Sequence, residues 1–136
     1  PGGVPLSTGV MVIFADEESF TFMTPQGHML SAWITFSAFE EDGSTVAQAQ
    51  ALLRATDPLI EISLRLGGHK TEDKFWQHTL EALAAHFGVR AKAEQHVVCV
   101  DPRLQWSQAG NIWHSAMLRT PLYAPLHWLR RRLRRS

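Results

Sequence analysis

The stretch that decides the fold is residues 30–55, which read LSAWITFSAFEEDGSTVAQAQALLRA. Its first half places Ala32, Ile34, Phe36 and Ala38 at alternate positions, with Ser, Trp and Thr residues between them. Alternation with a period of two is typical of a β-strand, because successive side chains point to opposite faces of a sheet. The first half of the stretch therefore predicts a strand.

The second half, from Ser44 to Ala55, carries two signals that conflict. Its Ala, Gln and Leu residues favour a helix by intrinsic propensity. Its pattern has a period of two, because Gln48 and Gln50 alternate with alanines, and on a helix these glutamines would lie about 200° apart. We expect a second strand, joined to the first by the acidic turn 40–43, which ends in glycine.

The flanking sequence extends this sheet and then changes character. Val10–Ala15 and Ser19–Thr24 are short apolar runs separated by Asp and Glu, which predicts two further strands and an antiparallel meander of four. Asp57-Pro58 can begin a first helix, and Thr71 a longer one that ends at Gly88. The expected apolar side of the longer helix consists of Phe75, Leu80, Leu83, Ala84 and Phe87. Gln95–Val100 is a further strand-like run, and the predicted class is α+β.

Composition indicates a folded protein of 136 residues, 45% hydrophobic and 19% charged. Disorder would need fewer apolar residues and a larger net charge. Cys99 is the one cysteine, which excludes an internal disulfide and suits a reducing compartment. No apolar run reaches the roughly 20 residues of a membrane-spanning helix. We expect a cytoplasmic protein, and because the sequence opens on Pro1 rather than Met, a segment that lacks an N-terminal part.

Charge divides the chain into two units. Residues 1–118 contain 7 Lys and Arg against 13 Asp and Glu, whereas residues 119–136 contain 6 Arg and no acid. This asymmetry predicts an acidic domain at 1–118 followed by a basic amphipathic tail at 119–136.

The tail has the pattern of a helix that lies on a surface. Its leucines are spaced four, three and four residues apart, and arginines and a tryptophan flank them. The predicted contact residues are Leu122, Leu126, Trp128, Leu129, Arg130, Arg131, Leu133 and Arg134. An anionic membrane surface fits this pattern, and the protein would then be peripheral at the membrane. Packing on the N-terminal part that we expect to be missing is the alternative, and nucleic acid fits less well because residues 1–118 are acidic.

The stretch from Phe20 to Gly88 has its motifs and predicted elements in the order of a known family. It runs FTFMTPQGH from Phe20, then a strand, then ALLRATDPL from Ala51, and then Phe75-Trp76 within the long helix. This order resembles the START/polyketide-cyclase-like (SRPBCC) helix-grip superfamily over about half of the chain. The resemblance implies an antiparallel sheet wrapped on a long helix, with an apolar ligand in the cavity between them. Family members usually begin with a strand and two short helices, which nothing here supplies, and the chain continues for 48 residues after the long helix.

Binding of a small apolar or lipid-like ligand is therefore the expected function. The candidate ligand-binding residues are His28, Trp33, Gln48, Gln50, Trp76, Asn111 and His114. His28 follows a Pro-x-Gly turn, where it either faces the cavity mouth or caps the turn. The glutamines are polar cavity groups if their strand face points inward, and solvent-side residues if it does not. The alternatives are a cyclase- or hydrolase-type enzyme using the same cavity, and an interaction module that docks through the tail.

The sequence contains no motif for binding a metal or a cofactor. There are 7 histidines, but His78 and His86 are eight residues apart rather than the four that place two ligands on one helical turn. With a single cysteine, a thiolate zinc site is excluded. We expect neither a metal nor a cofactor.

Overall fold

In the part of the chain that the structure describes, four antiparallel strands form one sheet in the order β1-β2-β3-β4, each paired with its neighbour in sequence. The structure is a computed structural model that describes residues 7–133, with side chains described through residue 125. The strands are β1 (Met11–Ala15), β2 (Ser19–Met23), β3 (Leu30–Glu41) and β4 (Ser44–Ala55). The predicted antiparallel meander is confirmed, within an α+β fold.

Tertiary pairing resolves the conflict in residues 44–55 in favour of a strand. β4 pairs with β3 along its whole length, from Ser44 opposite Glu41 to Ala55 opposite Leu30. The two-residue turn between them has positive φ angles, 49° at Asp42 and 76° at Gly43. Asp-Gly is the residue pair that such a turn favours, because its twist matches the twist of the strands. The turn and the ladder together outweigh the helix propensity of the alanines.

Within residues 7–133, three α-helices follow the sheet: α1 (Pro58–Ser63), α2 (His69–His86) and α3 (Ala116–Leu133). A single π-helical turn, Leu64–Gly68, joins α1 to α2, and Gly67 there has a φ of 132° that interrupts the helix. The expected cap at Thr71 is wrong, because α2 begins at His69 and the Thr71 hydroxyl donates back to the Gly67 carbonyl. A 3₁₀ helix, Trp106–His114, precedes α3, and α3 spans the boundary expected at residue 118.

The best-buried part of the described structure lies where the sheet meets these helices. Among residues 7–125, only Asp57, Pro58, Ser115 and Ala116 are buried. We call this region, together with Gly27, the junction. The Ala116 amide donates to the Gly27 carbonyl at 2.7 Å. Gly27 has a φ of 91°, and a Cβ there would lie 2.8 Å from the His114 carbonyl oxygen, so only glycine permits this close approach.

Hydrogen bonds from neighbouring residues complete the junction. The Thr56 hydroxyl donates to the carbonyls of His28 and Met29, at 3.0 and 2.8 Å. The Asn111 side-chain amide donates to the Thr56 carbonyl at 2.9 Å, which ties the 3₁₀ helix to the end of β4. Asp57 caps α1, because its Oδ1 accepts from the amides of Leu59 and Ile60 at 2.9 and 3.0 Å.

Two sequence predictions about the second half of the chain are wrong. Gln95–Val100 is not a strand, since Val98 is 81% exposed and no strand of the described residues pairs with it. This segment is held by side chains instead, as Gln95 bonds to Asp73 and Gln77 of α2. The expected apolar side of α2 is also shifted, because Phe75, Leu83 and Phe87 are exposed.

Loss of the Asp57 cap should weaken the fold. We expect Asp57→Ala to lower the free energy of unfolding by about 1–2 kcal/mol, because two amide donors at the start of α1 lose their acceptor. Urea denaturation of the full chain measures this change. Asp57→Ser is the control, since a serine hydroxyl can still cap the helix, and it should retain most of the stability. Equal stability of Asp57→Ala and the unmodified protein would contradict the proposed role of the cap.

Candidate functional site

One face of the sheet carries a cluster of aromatic side chains. Phe20 of β2 lies opposite Phe36 of β3, and Phe22 lies opposite Ile34, so all four share a face. The Phe20 and Phe36 rings stack with centroids 4.9 Å apart, and the Phe22 centroid lies 5.2 Å from Phe20 and 5.9 Å from Phe36. Phe20 remains 41% exposed. The cluster therefore presents apolar surface to solvent.

α2 adds a tryptophan to this cluster. The Trp76 ring lies 5.8 Å from the Phe36 ring, centroid to centroid. We call Phe20, Phe22, Phe36 and Trp76 the aromatic surface. The half-buried residues of α2 recur at helical spacing along the same side as Trp76: Glu72, Asp73, Trp76, Thr79, Leu80 and Ala84.

Small side chains of β4 border the aromatic surface. Ala49 is the cross-strand partner of Phe36, and Ala51 is the partner of Ile34, so both alanines lie on the face that α2 covers. α2 packs against β4. A methyl group at these positions leaves more space between sheet and helix than a larger apolar residue would.

Glu72 brings a carboxyl group to this apolar region. It precedes Trp76 by one helical turn, and its side chain is 20% exposed. Burial raises the pKa of the Glu72 carboxyl, and the charge of Asp73 acts in the same direction. The charge of His69, whose Nδ1 lies 4.0 Å from a Glu72 oxygen, and the neighbouring Trp76 side chain lower this pKa without cancelling the effect of burial. A carboxyl with a perturbed pKa beside an apolar surface is a candidate functional group.

The opposite face of the sheet holds three of the predicted ligand-binding residues. Trp33 lies three positions from Phe36 on β3, and it therefore points away from Trp76. Gln48 and Gln50 lie on the same face as Trp33, and all three are exposed. The structure places these three residues together but separates them from the aromatic surface by the thickness of the sheet.

His28 and Asn111 lie near the junction, and one nitrogen of each side chain forms hydrogen bonds within the fold. The His28 Nδ1 accepts from the Leu30 amide at 3.0 Å, so this histidine caps its own turn. The Asn111 side-chain amide is held by the Thr56 carbonyl.

His114, the third polar candidate, ends the 3₁₀ helix immediately before the junction. Arg119 donates to its Nδ1 at 3.1 Å and to the Trp113 carbonyl at 3.0 Å. Of the seven predicted ligand-binding residues, Trp76 alone is part of the aromatic surface.

The predicted tail residues belong to α3 up to Leu133. Leu122 is 70% exposed, and Tyr123 beside it is also exposed. Six further predicted contact residues lie in α3 beyond the described side chains: Leu126, Trp128, Leu129, Arg130, Arg131 and Leu133. Arg134 lies outside the described residues.

A groove of about 450 Å³ lies beside α2, away from the aromatic surface. It is lined by Gln77, Lys92, Ala93, Glu94, Gln95 and His96. Within the part of the chain that the structure describes, no group of three or more His, Cys, Asp or Glu side chains could hold a metal ion. None of the described helices combines the length and apolar character needed to cross a membrane.

Sequence reasoning missed Glu72 as a site residue. The signal was present in its spacing, because residues four apart on a helix share a face, and Glu72 precedes Trp76 by four. The expected apolar side of α2 included Phe75, and the sequence therefore placed Glu72 outside the predicted site.

Comparison with protein-family models, with curated proteins and with solved structures finds no match to this chain.

Removal of the Glu72 charge should stabilise the protein at neutral pH. The raised pKa means that the native state holds this proton more tightly than the unfolded chain, so the contribution of Glu72 to stability falls as pH rises through its titration. We expect Glu72→Gln to raise the free energy of unfolding at pH 7, and the gain to shrink as pH falls toward and below the ordinary range of a glutamate.

Urea denaturation at a series of pH values measures this dependence. Glu81→Gln is the matched control, since Glu81 is exposed and nine residues along the same helix, on its opposite side. A gain that is independent of pH, or equal for both variants, would contradict the role assigned to burial of Glu72.

Proposed function

We propose that the protein binds a small apolar or lipid-like ligand between the sheet and α2, on the aromatic surface. The observation that carries the proposal is that three phenylalanines and Trp76 cluster on one face while Phe20 stays 41% exposed. Full burial of a large apolar side chain contributes about 1.5–3 kcal/mol, so an apolar ligand that covers these rings gains affinity from the same effect.

The alanines of β4 support this location. Ala49 and Ala51 are the cross-strand partners of Phe36 and Ile34, and their small size favours space for a ligand beside the rings. The helix-grip resemblance supports the same location, because in that superfamily the ligand lies between an antiparallel sheet and a long helix. We therefore propose a helix-grip-like arrangement for this sheet and α2.

The enzyme alternative has less support from the geometry. Its expected polar participants were His28, Asn111 and His114. Hydrogen bonds to Leu30, Thr56 and Arg119 engage these side chains near the junction. Such contacts suit a structural role, and we propose ligand binding without assigned catalysis.

Filling the space beside Phe36 should block ligand binding. We expect Ala49→Leu to abolish saturable binding of the neutral apolar dye N-phenyl-1-naphthylamine, because the added side chain occupies the proposed ligand volume. Dye fluorescence titrated against the folded full chain measures binding, and circular dichroism verifies the fold.

Gln50→Leu is the matched control, since it adds a leucine at the next residue on the opposite face of the sheet. Binding should persist in this variant. Absence of saturable binding by the unmodified protein, or equal loss in both variants, would overturn the proposed function.

An anionic membrane surface is a second candidate partner, bound through residues 119–136. The observation that favours it is the exposure of Leu122 and Tyr123 on α3, since these apolar side chains are available to enter the surface of a membrane. The tail also carries 6 arginines, and each one near an anionic membrane surface contributes about 1 kcal/mol.

The membrane candidate predicts that the full chain floats with anionic vesicles at low salt and is released as salt increases. Leu122→Glu should reduce flotation strongly without changing the free energy of unfolding. Leu66→Glu is the control, because Leu66 is 84% exposed outside the tail, and its substitution should leave flotation unchanged. Destabilisation by Leu122→Glu with no flotation of the unmodified protein would favour packing of the tail instead.

A further inference from the structure

Glu72 is placed where an ionised carboxylate is costly. Its side chain is 20% exposed and lies on the side of α2 that carries Trp76, which contacts Phe36 of the sheet. Removing a carboxylate from water is unfavourable unless a partner compensates its charge. The polar groups that face Glu72 therefore determine which ligand group could bind there.

Those groups leave the carboxylate incompletely compensated. His69 is 4.0 Å away and offsets the charge only when it is protonated. The neighbouring Trp76 side chain favours the ionised form, whereas the neighbouring charge of Asp73 opposes it. Within the described residues, no Lys or Arg forms an ion pair with Glu72. A positively charged ligand group would supply the missing compensation.

Trp76 follows Glu72 by one helical turn and brings aromatic rings to the same region. The Trp76 ring lies 5.8 Å from the Phe36 ring and 5.0 Å from the Phe75 ring, centroid to centroid. An ammonium group is attracted to the faces of such rings as well as to a carboxylate. The Glu72 carboxylate would repel an anionic ligand group, and a neutral hydroxyl would gain a hydrogen bond without charge compensation.

We propose that the ligand of the aromatic surface is an amphiphilic cation, an apolar body that carries a protonated amine, and that Glu72 binds the ammonium group beside Trp76. This inference rests on the proposed function, because it names the chemical class of the ligand bound at that same site. The apolar body of the ligand lies over Phe20, Phe22 and Phe36, and the charge lies at the α2 side.

Competition with the dye N-phenyl-1-naphthylamine tests the inference. The competitors are octylammonium, octanol and octanoate, which share one apolar chain and differ only in the head group. We expect octylammonium to displace the dye at about one tenth of the concentration that octanol requires, since a hydrogen bond to a charged group adds this much affinity. Octanoate should be the weakest of the three. Glu72→Gln should remove the preference for octylammonium, and Glu81→Gln should retain it.

The outcomes separate the two proposals. If the dye binds and all three competitors displace it with equal strength, the assignment of a cationic ligand is overturned and apolar binding stands. Persistence of the octylammonium preference in Glu72→Gln also overturns the assignment, because another group would then recognise the charge. If no saturable dye binding occurs, the proposed function fails and the cationic ligand fails with it.

Discussion

The hydrogen bond from the Ala116 amide to the Gly27 carbonyl joins two parts of the chain that are far apart in sequence. It belongs to the junction, which contains the only four buried residues among positions 7–125. The sheet, α1 and the start of α3 meet there. The Thr56 hydroxyl and the Asn111 side-chain amide add hydrogen bonds to backbone carbonyl groups beside this contact. Because Gly27 lacks a side chain, the two backbones can approach to 2.7 Å.

Several polar residues near the junction form hydrogen bonds within the fold. His28, Asn111 and His114 have side chains that suit a ligand site, and each forms a hydrogen bond within its own neighbourhood. Residues with strong hydrogen-bonding capacity are used where turns and helix ends leave backbone groups without partners. Their side chains stabilise the connections between elements, and the apolar face of the sheet is left to α2.

The two faces of the sheet differ in chemistry as a result. The face under α2 carries phenylalanines and alanines, whereas the other face carries Thr21 and Thr35, whose hydroxyls are 2.8 Å apart, together with exposed glutamines. Trp33 is 52% exposed on that second face, and it shows that aromatic character alone does not locate a site. What distinguishes the first face is the combination of clustered rings, small neighbours and one desolvated carboxyl, Glu72.

The sequence by itself determined the sheet, because its information is local. Alternation with a period of two defined β3 and β4, and Asp42-Gly43 set the turn that aligns them. The Asp57 cap could also be predicted from the sequence, since its hydrogen bonds join residues at most three positions apart. In contrast, only the tertiary structure decided which side of α2 meets the sheet, because Phe75 and Trp76 are both aromatic and the sequence favours neither.

The composition of the candidate site depends on which side of α2 packs against the sheet. Once Trp76 contacts Phe36, Glu72 is carried to the same side, Phe75 is left exposed, and Trp33 falls on the far face of the sheet. The failure of the 95–100 strand has a related cause, because a run with β-propensity becomes a strand only where a partner edge is within reach of its backbone. Gln95 bonds to α2 through its side chain, and Val98 remains in solvent. Local pattern thus specified the elements, and packing between distant residues specified the surface they present.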